Sequence, residues 1–378
     1  MKCIYCGSDT KYRDRRTNGG ACATCKHPFA FEPMAVGPGG VKLTDGLFQA
    51  LIRKVSGDGK VFFTERQIWY EFNRRFSRRR FWWGPWGRVA AASGLCGGLA
   101  ACGMAVLFPP AIPVAVALGA GGAGFAAFRS SQLARGAPIY ARIPFGDFAA
   151  SYLRKWTHTH GPIDHLLPPA SKQPDAPPRQ MDPDLTAYSF DRALVADHAE
   201  TAAMLVANNF HFENNCAILS ADGYPYGIAQ TVLTMLRRNP QLQVFALHDT
   251  TPSGCQLPAL LREAAWFPDP AIRIIDQGLR PAHAQKLRLL LEHSEPHPLP
   301  AGARASLTAA EIGWLEQGNR AELAALRPAR LMRALYQGFA RANQAGQTDS
   351  WTTDAGDTGG GIWIYDSSAD IYAADSFG

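Results

Sequence analysis

Between residues 190 and 280 short apolar runs alternate with helical stretches; 193–196, 216–220, 244–248 and 271–275 read as strands. Strands alternating with helical segments predict a parallel α/β sheet. Upstream, residues 43–55 read as an amphipathic helix, a turn follows at 57–59, and a second helix opens at Thr64. Thr64 and Gln67 have the spacing of a capping box, in which each satisfies an orphan N–H of the first turn. Ile68, Trp69, Phe72 and Phe76 then recur at helical spacing as a buried stripe. Tyr70 falls off that stripe, beside Arg66, Asn73 and Arg74, where an ordinary tyrosine keeps its hydroxyl in water. Further helical patterns occupy 145–158 and 306–343.

Residues 89–128 break this rhythm, with forty positions and no charge. Each arm, either side of Pro109, Pro110 and Pro113, is about as long as the roughly 17–25 residues that cross a bilayer. The expectation is a transmembrane hairpin with close Gly/Ala contacts, an aromatic belt at Phe81, Trp82, Trp83 and Trp86, and flanking arginines. By the positive-inside rule it anchors the chain in the inner or cytoplasmic membrane with its soluble domains facing the cytoplasm. The alternative is a Gly/Ala-rich helical hairpin buried in a soluble core. Residues 168–184 carry six prolines and read as a linker. The tail 344–378 is rich in Gly, Asp, Ser and Thr with isolated aromatics, and reads as a disordered acidic segment able to dock a protein partner.

Cysteine spacing adds the most specific chemistry. Cys3 and Cys6 form one C-x-x-C pair and Cys22 and Cys25 another, fifteen residues apart. Two such turns close a tetrahedral shell around one structural Zn²⁺ and leave no open position. A disulfide pair or a redox C-x-x-C are the alternatives, and nothing else in the chain looks secreted or thioredoxin-like. The predicted ribbon spans 1–35. The net charge of +6 is unevenly spread: residues 1–88 hold 17 Lys/Arg against 7 Asp/Glu, while six Asp and no basic residue follow Arg341. Arg74, Arg75, Arg78, Arg79 and Arg80 crowd together as a candidate surface for nucleic acid or anionic lipid.

Each predicted strand ends at or near an aspartate: Asp197, Asp222, Asp249 and Asp276. Ligands of open α/β sheets bind outside the carboxyl ends of the strands, and carboxylates converging there suit Mg²⁺. Each also has a structural reading. Asp197 has the position of a helix N-cap, Asp222 and Asp249 open turn-like sequences, and Asp276 serves to solvate a strand end.

The runs ALVADHAETAAML, ILSADGYPYGIAQ and VFALHDTTPSG resemble the Toprim domain of the type IIB topoisomerase (topoisomerase VI) A subunit and its relatives, the meiotic double-strand-break transesterases. That family shows an acid after the first strand, a G-x-P loop after the second and D-x-D-P-x-G after the third. GNRAEL at 318–323 resembles its K-A-E-[IL] element, and FTERQIWYEFNRR its winged-helix segment. The resemblance implies a winged-helix-like region at 41–80 continuing at 136–167, a Toprim-like domain at 185–300, C-terminal helices at 301–343, and a homodimer. It implies Tyr70 as a nucleophile toward a DNA phosphodiester, Arg66 and Arg74 on the phosphate, and Asp197 and Asp249 on Mg²⁺. Asp197 replaces the family's glutamate and Thr251 its second D-x-D aspartate, which removes one anionic ligand.

Three functions follow as expectations. The first in rank is a membrane-tethered DNA- or phosphate-ligand-binding protein with a degenerate Toprim/winged-helix module, in a multi-protein stress or anti-phage system. The second is an Mg²⁺-dependent strand-cleaving transesterase or nuclease using Tyr70. The third is a membrane scaffold without a nucleic-acid role.

Overall fold

Four strands, β1 (Arg192–Ala196), β2 (Cys216–Ser220), β3 (Gln243–Leu247) and β4 (Arg273–Asp276), form a sheet in the order β2–β1–β3–β4. All neighbours run parallel; Leu194 lies opposite both Ile218 and Phe245, and Phe245 opposite Ile275. The computed structural model describes residues 1–83, 138–169 and 190–347. The strands are continuous apolar runs because both sheet faces are covered. On one face Val195, Leu219, Val244 and Ala246 pack with Leu233, Leu236 and Phe267. On the other, Phe245 meets Phe339 of the helix Pro328–Gln347 with ring centroids 4.2 Å apart. The fourth strand starts later than its apolar run, at Arg273, because Ile272 N–H closes a turn onto the Asp269 carbonyl at 3.2 Å.

Strand order reverses between β1 and β3, since β2 lies to one side of β1 and β4 to the far side of β3. Connections therefore diverge at this point and leave a crevice beyond the strand ends. A second pairing supplies one wall. Strand β5 (Leu290–His293) runs antiparallel to β6 (Asn319–Arg320), with Glu292 opposite Arg320. Just after β6, Ala321 bridges Thr250, whose N–H donates to the Ala321 carbonyl at 2.8 Å.

The helix Asp45–Val55 is capped by Thr44, whose hydroxyl accepts Leu47 N–H at 3.3 Å. The helix Glu65–Trp83 opens with the expected capping box: Gln67 N–H reaches Thr64 Oγ1 at 3.3 Å and Thr64 N–H reaches Gln67 Oε1 at 3.0 Å. Ile68, Trp69, Phe72 and Phe76 are buried as their spacing predicts. Helical structure runs through Phe145–Phe148, a π turn at Ala149–Leu153, and Arg154–His160. The pattern at 306–343 resolves into Ala309–Glu316 and Pro328–Gln347, separated by β6.

The chain divides into two compact units, Met1–Glu71 with Ile143–Gly378, and Phe72–Arg142. Within the second, Arg142 N–H donates to the buried Asn73 Oδ1 at 3.0 Å, beside the short strand Ile139–Tyr140.

One expected part of the architecture is corrected. Among the described residues no helix is long and apolar enough to cross a membrane, so the expected fold class is cut back to α/β with a parallel sheet, and the transmembrane hairpin is not supported. The long described helices, Glu65–Trp83 and Pro328–Gln347, are interrupted by arginines. The stretch 89–128 itself, most of the expected linker at 168–184 and the tail beyond Gln347 lie outside the described residues.

Candidate metal and ligand site

The two C-x-x-C turns meet as their spacing predicts. Single antiparallel bridges join Lys2 to Asp9 and Ala21 to Pro28, so each turn sits in its own small loop. Cys3 Sγ lies 3.6 Å from Cys25 Sγ, and Cys6 Sγ 3.7 Å from Cys22 Sγ. All four sulfurs fall within 4.8 Å of one another, a cluster able to hold a metal ion. The separations are far from the about 2.05 Å of a disulfide. The backbone N–H of Cys25 and then the Ser8 hydroxyl pull the Cys22 thiol down to about 5, whereas, against the His27 N–H, burial and the neighbouring thiols push Cys25 up to about 12. The ribbon is fastened through the fully buried Asp45, which accepts Ala30 N–H at 2.9 Å and Phe31 N–H at 2.8 Å. His160 Nε2 lies 2.8 Å from the same carboxylate, and the Tyr5 hydroxyl 3.0 Å from His160 Nδ1.

The second cluster lies at the strand-order reversal. Asp197 follows β1 and Asp249 follows β3 and His248, so adjacent parallel strands deliver both carboxyls to one crevice. Asp249 N–H donates to Asp197 Oδ2 at 2.6 Å, and Leu323 N–H donates to Asp249 Oδ1 at 2.6 Å. Each aspartate is thus held by one oxygen, which leaves Asp197 Oδ1 and Asp249 Oδ2. Asp197 Oδ1 is buried and has no hydrogen-bond partner, and the side chain as a whole is 9% exposed. His198 Nε2 lies 3.5 Å from Asp249 Oδ2 and 3.9 Å from Asp197 Oδ2. A cavity of about 270 Å³ opens here, lined by Arg66, His198, Thr201, Asp222, Asp249 and Glu322.

The neighbouring residues hold this arrangement in place. The N-cap reading of Asp197 is not what forms: Asp222 Oδ2 takes Ala199 N–H at 3.2 Å, at the start of the helix Ala199–Ala207. Asp222 therefore spends its carboxylate on that helix and on the Ser220 hydroxyl, 2.5 Å away. Thr251 turns its hydroxyl to Gly254 N–H at 2.9 Å, so it contributes turn geometry in place of a ligand. Gly254 must lack a side chain, since a Cβ there would meet the Asp249 carbonyl at 2.5 Å and Asp197 Oδ2 at 3.1 Å. Asp276 does more than solvate a strand end. Its Oδ1 lies 3.1 Å from Nε2 of the buried His248, whose Nδ1 lies 2.8 Å from the Asp249 carbonyl. Burial opposes charge on this imidazole, but Asp276 and Cys255 outweigh it and hold its pKa well above the ordinary value.

Charge balance singles out the crevice. Burial, then the facing Asp197, pushes Asp249 up to about 7. Burial pushes Asp197 up to about 6, and burial with Asp249 pushes Glu322 up to about 8. Three acids that resist ionisation in one place are short of positive charge.

Arg66 supplies part of it, pairing with Glu322 at close range and with Glu292 at 3.5 Å. Tyr70 joins this network and not the solvent, as its hydroxyl donates to Glu292 Oε1 at 3.0 Å. The expected position on an exposed polar helix side is therefore corrected: Tyr70 is 1% exposed, with its hydroxyl on Glu292 of β5. Burial, then Glu322 and Glu292, hold the phenol well above its usual pKa. The structure thus brings Tyr70, Arg66, Asp249 and Asp197 into one region. Arg74 and Arg75 belong to the unit Phe72–Arg142, half-buried and exposed respectively. The side chains of Arg78, Arg79 and Arg80 lie outside the described residues.

No family model, curated protein or solved structure matches this chain. Sequence reasoning named Asp276 but missed its pairing with His248, and it missed His198, Glu292 and Glu322 as parts of the site. Glu322 had a signal, as it stands within GNRAEL, and His198 stands next to Asp197. Glu292 had none, because only the β5–β6 pairing brings it to Arg66.

Proposed function

We propose that the crevice at the ends of β1 and β3 binds a divalent cation and, through it, a phosphate-bearing ligand, with DNA as the ligand class. The carrying observation is Asp197 Oδ1, buried without a partner on a residue that clusters with His198 and Asp249 at metal-ligand spacing. Cations of the Mg²⁺ class use one or two protein carboxylates and leave positions for phosphate oxygens. The crevice fits that pattern, since each aspartate is oriented by a backbone N–H and keeps one oxygen for an ion. Arginines and lysines of the N-terminal segment add sequence-independent contacts to a phosphate backbone, and the order of the Toprim-like motifs supports the choice of DNA. The ion at Cys3, Cys6, Cys22 and Cys25 is structural Zn²⁺, a closed four-thiolate site. Tyr70 is a packing and hydrogen-bonding residue in this reading and not a nucleophile, since it is 1% exposed and out of reach of a phosphate in the crevice.

The test is binding of a fluorescent duplex oligonucleotide to the full-length protein over a salt series, with and without added Mg²⁺ or Mn²⁺. Affinity should fall as salt rises, and part of it should depend on the cation and vanish in Asp249→Asn. Absence of DNA binding at low salt would refute the ligand class. Binding indifferent to both cation and Asp249→Asn would refute the crevice as its seat.

A further inference from the structure

The reading of the crevice as a cation site leaves open which ion it selects, and His198 bears on that. We infer that His198 is the third protein ligand of this site and that the site takes a borderline transition-metal ion, of the Co²⁺ or Zn²⁺ kind, in preference to Mg²⁺. The inference rests on the crevice being a metal site at all.

Three donors face one another: Asp197, Asp249 Oδ2 and His198 Nε2, with ligating atoms all within 4.8 Å. The 3.5 Å between His198 Nε2 and Asp249 Oδ2 is close to the roughly 3.4 Å between ligands about 2.0–2.1 Å from a tetrahedral ion. Octahedral Mg²⁺ draws its oxygens closer and gains little from an imidazole nitrogen. The carboxylates cannot add another oxygen cheaply, because Asp249 Oδ1 is held by Leu323 N–H and Asp197 Oδ2 by Asp249 N–H. Thr251 offers no alternative, its hydroxyl being spent on Gly254. The imidazole is therefore the donor that completes a set of three, and the cavity leaves the fourth position to water or ligand.

The preference follows from ligand softness. Imidazole suits Zn²⁺ and its neighbours, whereas carboxylates and water suit Mg²⁺. His198 is 58% exposed on its side chain, so the ring can be removed without opening the core. It projects from the start of a helix whose first N–H is already satisfied by Asp222, so the cap does not depend on it.

The experiment is a calorimetric titration of the full-length protein, holding one Zn²⁺ per chain for its four cysteines and freed of any second ion, with Co²⁺ and with Mg²⁺, for the parent, His198→Ala and Asp249→Asn. The visible spectrum of the Co²⁺ complex is recorded alongside, because thiolate charge-transfer bands would reveal any exchange into the cysteine cluster. The parent should bind Co²⁺ at least tenfold more tightly than Mg²⁺. His198→Ala should lose roughly 10–100-fold in Co²⁺ affinity, as metal sites do even for outer partners, with Mg²⁺ affinity little changed. Equal Co²⁺ binding by the parent and His198→Ala, with loss in Asp249→Asn, would overturn His198 as a ligand and leave the carboxylate site standing. No saturable binding of either ion to the parent would overturn the metal site itself.

Discussion

At the N-terminus, four thiols meet from two short turns separated by fifteen residues, and little else is needed to assemble them. At the strand ends, Asp197 and Asp249 meet across 52 residues, and Leu323 N–H closes on Asp249 across 74. On the proposed reading the first cluster depends on a bound ion to fold its segment, since a ribbon this small has almost no core. The second depends on the fold to exist and stands pre-formed, with its acids held by backbone donors. The contrast separates a metal that makes structure from an anionic crevice that structure makes. The first has a closed shell and no place for a ligand, whereas the second has an open cavity.

The largest expected effect tests the first half of the comparison. Cys22→Ser removes a fully buried ligand, so bound zinc measured by elemental analysis should fall from about one ion per chain toward none. Limited proteolysis should then cut within residues 1–35 while the α/β domain stays intact. A ribbon that resists proteolysis without metal would erase the contrast.

The next effect tests whether the crevice is pre-formed by the core beneath it. Asp276→Asn deprives the buried His248 of its counter-charge, and losing one partner of a buried pair costs about 3–5 kcal/mol. Asp276 is 30% exposed on its side chain, so the lower end, about 3 kcal/mol, is expected in denaturant unfolding. A change below about 1 kcal/mol would mean that His248 is not held as a cation.

Proton linkage sharpens the comparison further. Asp197, Asp249 and Glu322 titrate above ordinary carboxyls, at about 6, 7 and 8. Across that window the metal-free folded chain holds protons that the unfolded chain has released. Its stability should therefore fall as pH rises from about 4 to about 8. A cation replaces those protons, so its stabilisation should grow over the same range and its binding should release protons. Thermal unfolding from about pH 5 to 8, with and without Co²⁺, measures this linkage; a gap that does not widen with pH would remove these acids from the site.

The smallest effect concerns Tyr70. Tyr70→Phe loses one hydrogen bond to the partly exposed Glu292, worth about 0.5–1.5 kcal/mol. DNA affinity should not change. SDS-stable protein–DNA adducts formed by the parent and absent from Tyr70→Phe would restore the nucleophile.

Much of the fold was legible. Apolar runs marked all four parallel strands to within a residue or two, the largest shift being the start of β4 at the Asp269 turn, and Thr64 with Gln67 marked the start of a long helix. Tyr70 shows where legibility stopped. Its helix stripe was read correctly, but tertiary contacts, Glu292 of β5 among them, bury the side that a helix alone would leave in water. The site was legible in half: Asp197 and Asp249 stand at strand ends and carry a recognisable pattern. The alternative roles of Asp197 and Asp222 were separable only once Asp222 was seen to take Ala199 N–H.

What the sequence determined by itself is whatever short-range geometry determines. A C-x-x-C turn presents two thiolates, a Thr with a Gln three residues on caps a helix, and apolar runs between helices make parallel strands. The tertiary structure alone decided which oxygens of Asp197 and Asp249 remain for an ion, that His198 faces them, and that Glu322 and Arg66 share their charge. Those facts depend on strand order and on the Thr250–Ala321 bridge, which join residues far apart along the chain. Electrostatic energies in a buried crevice vary with such distances and with the loss of water, and neither is written in local sequence.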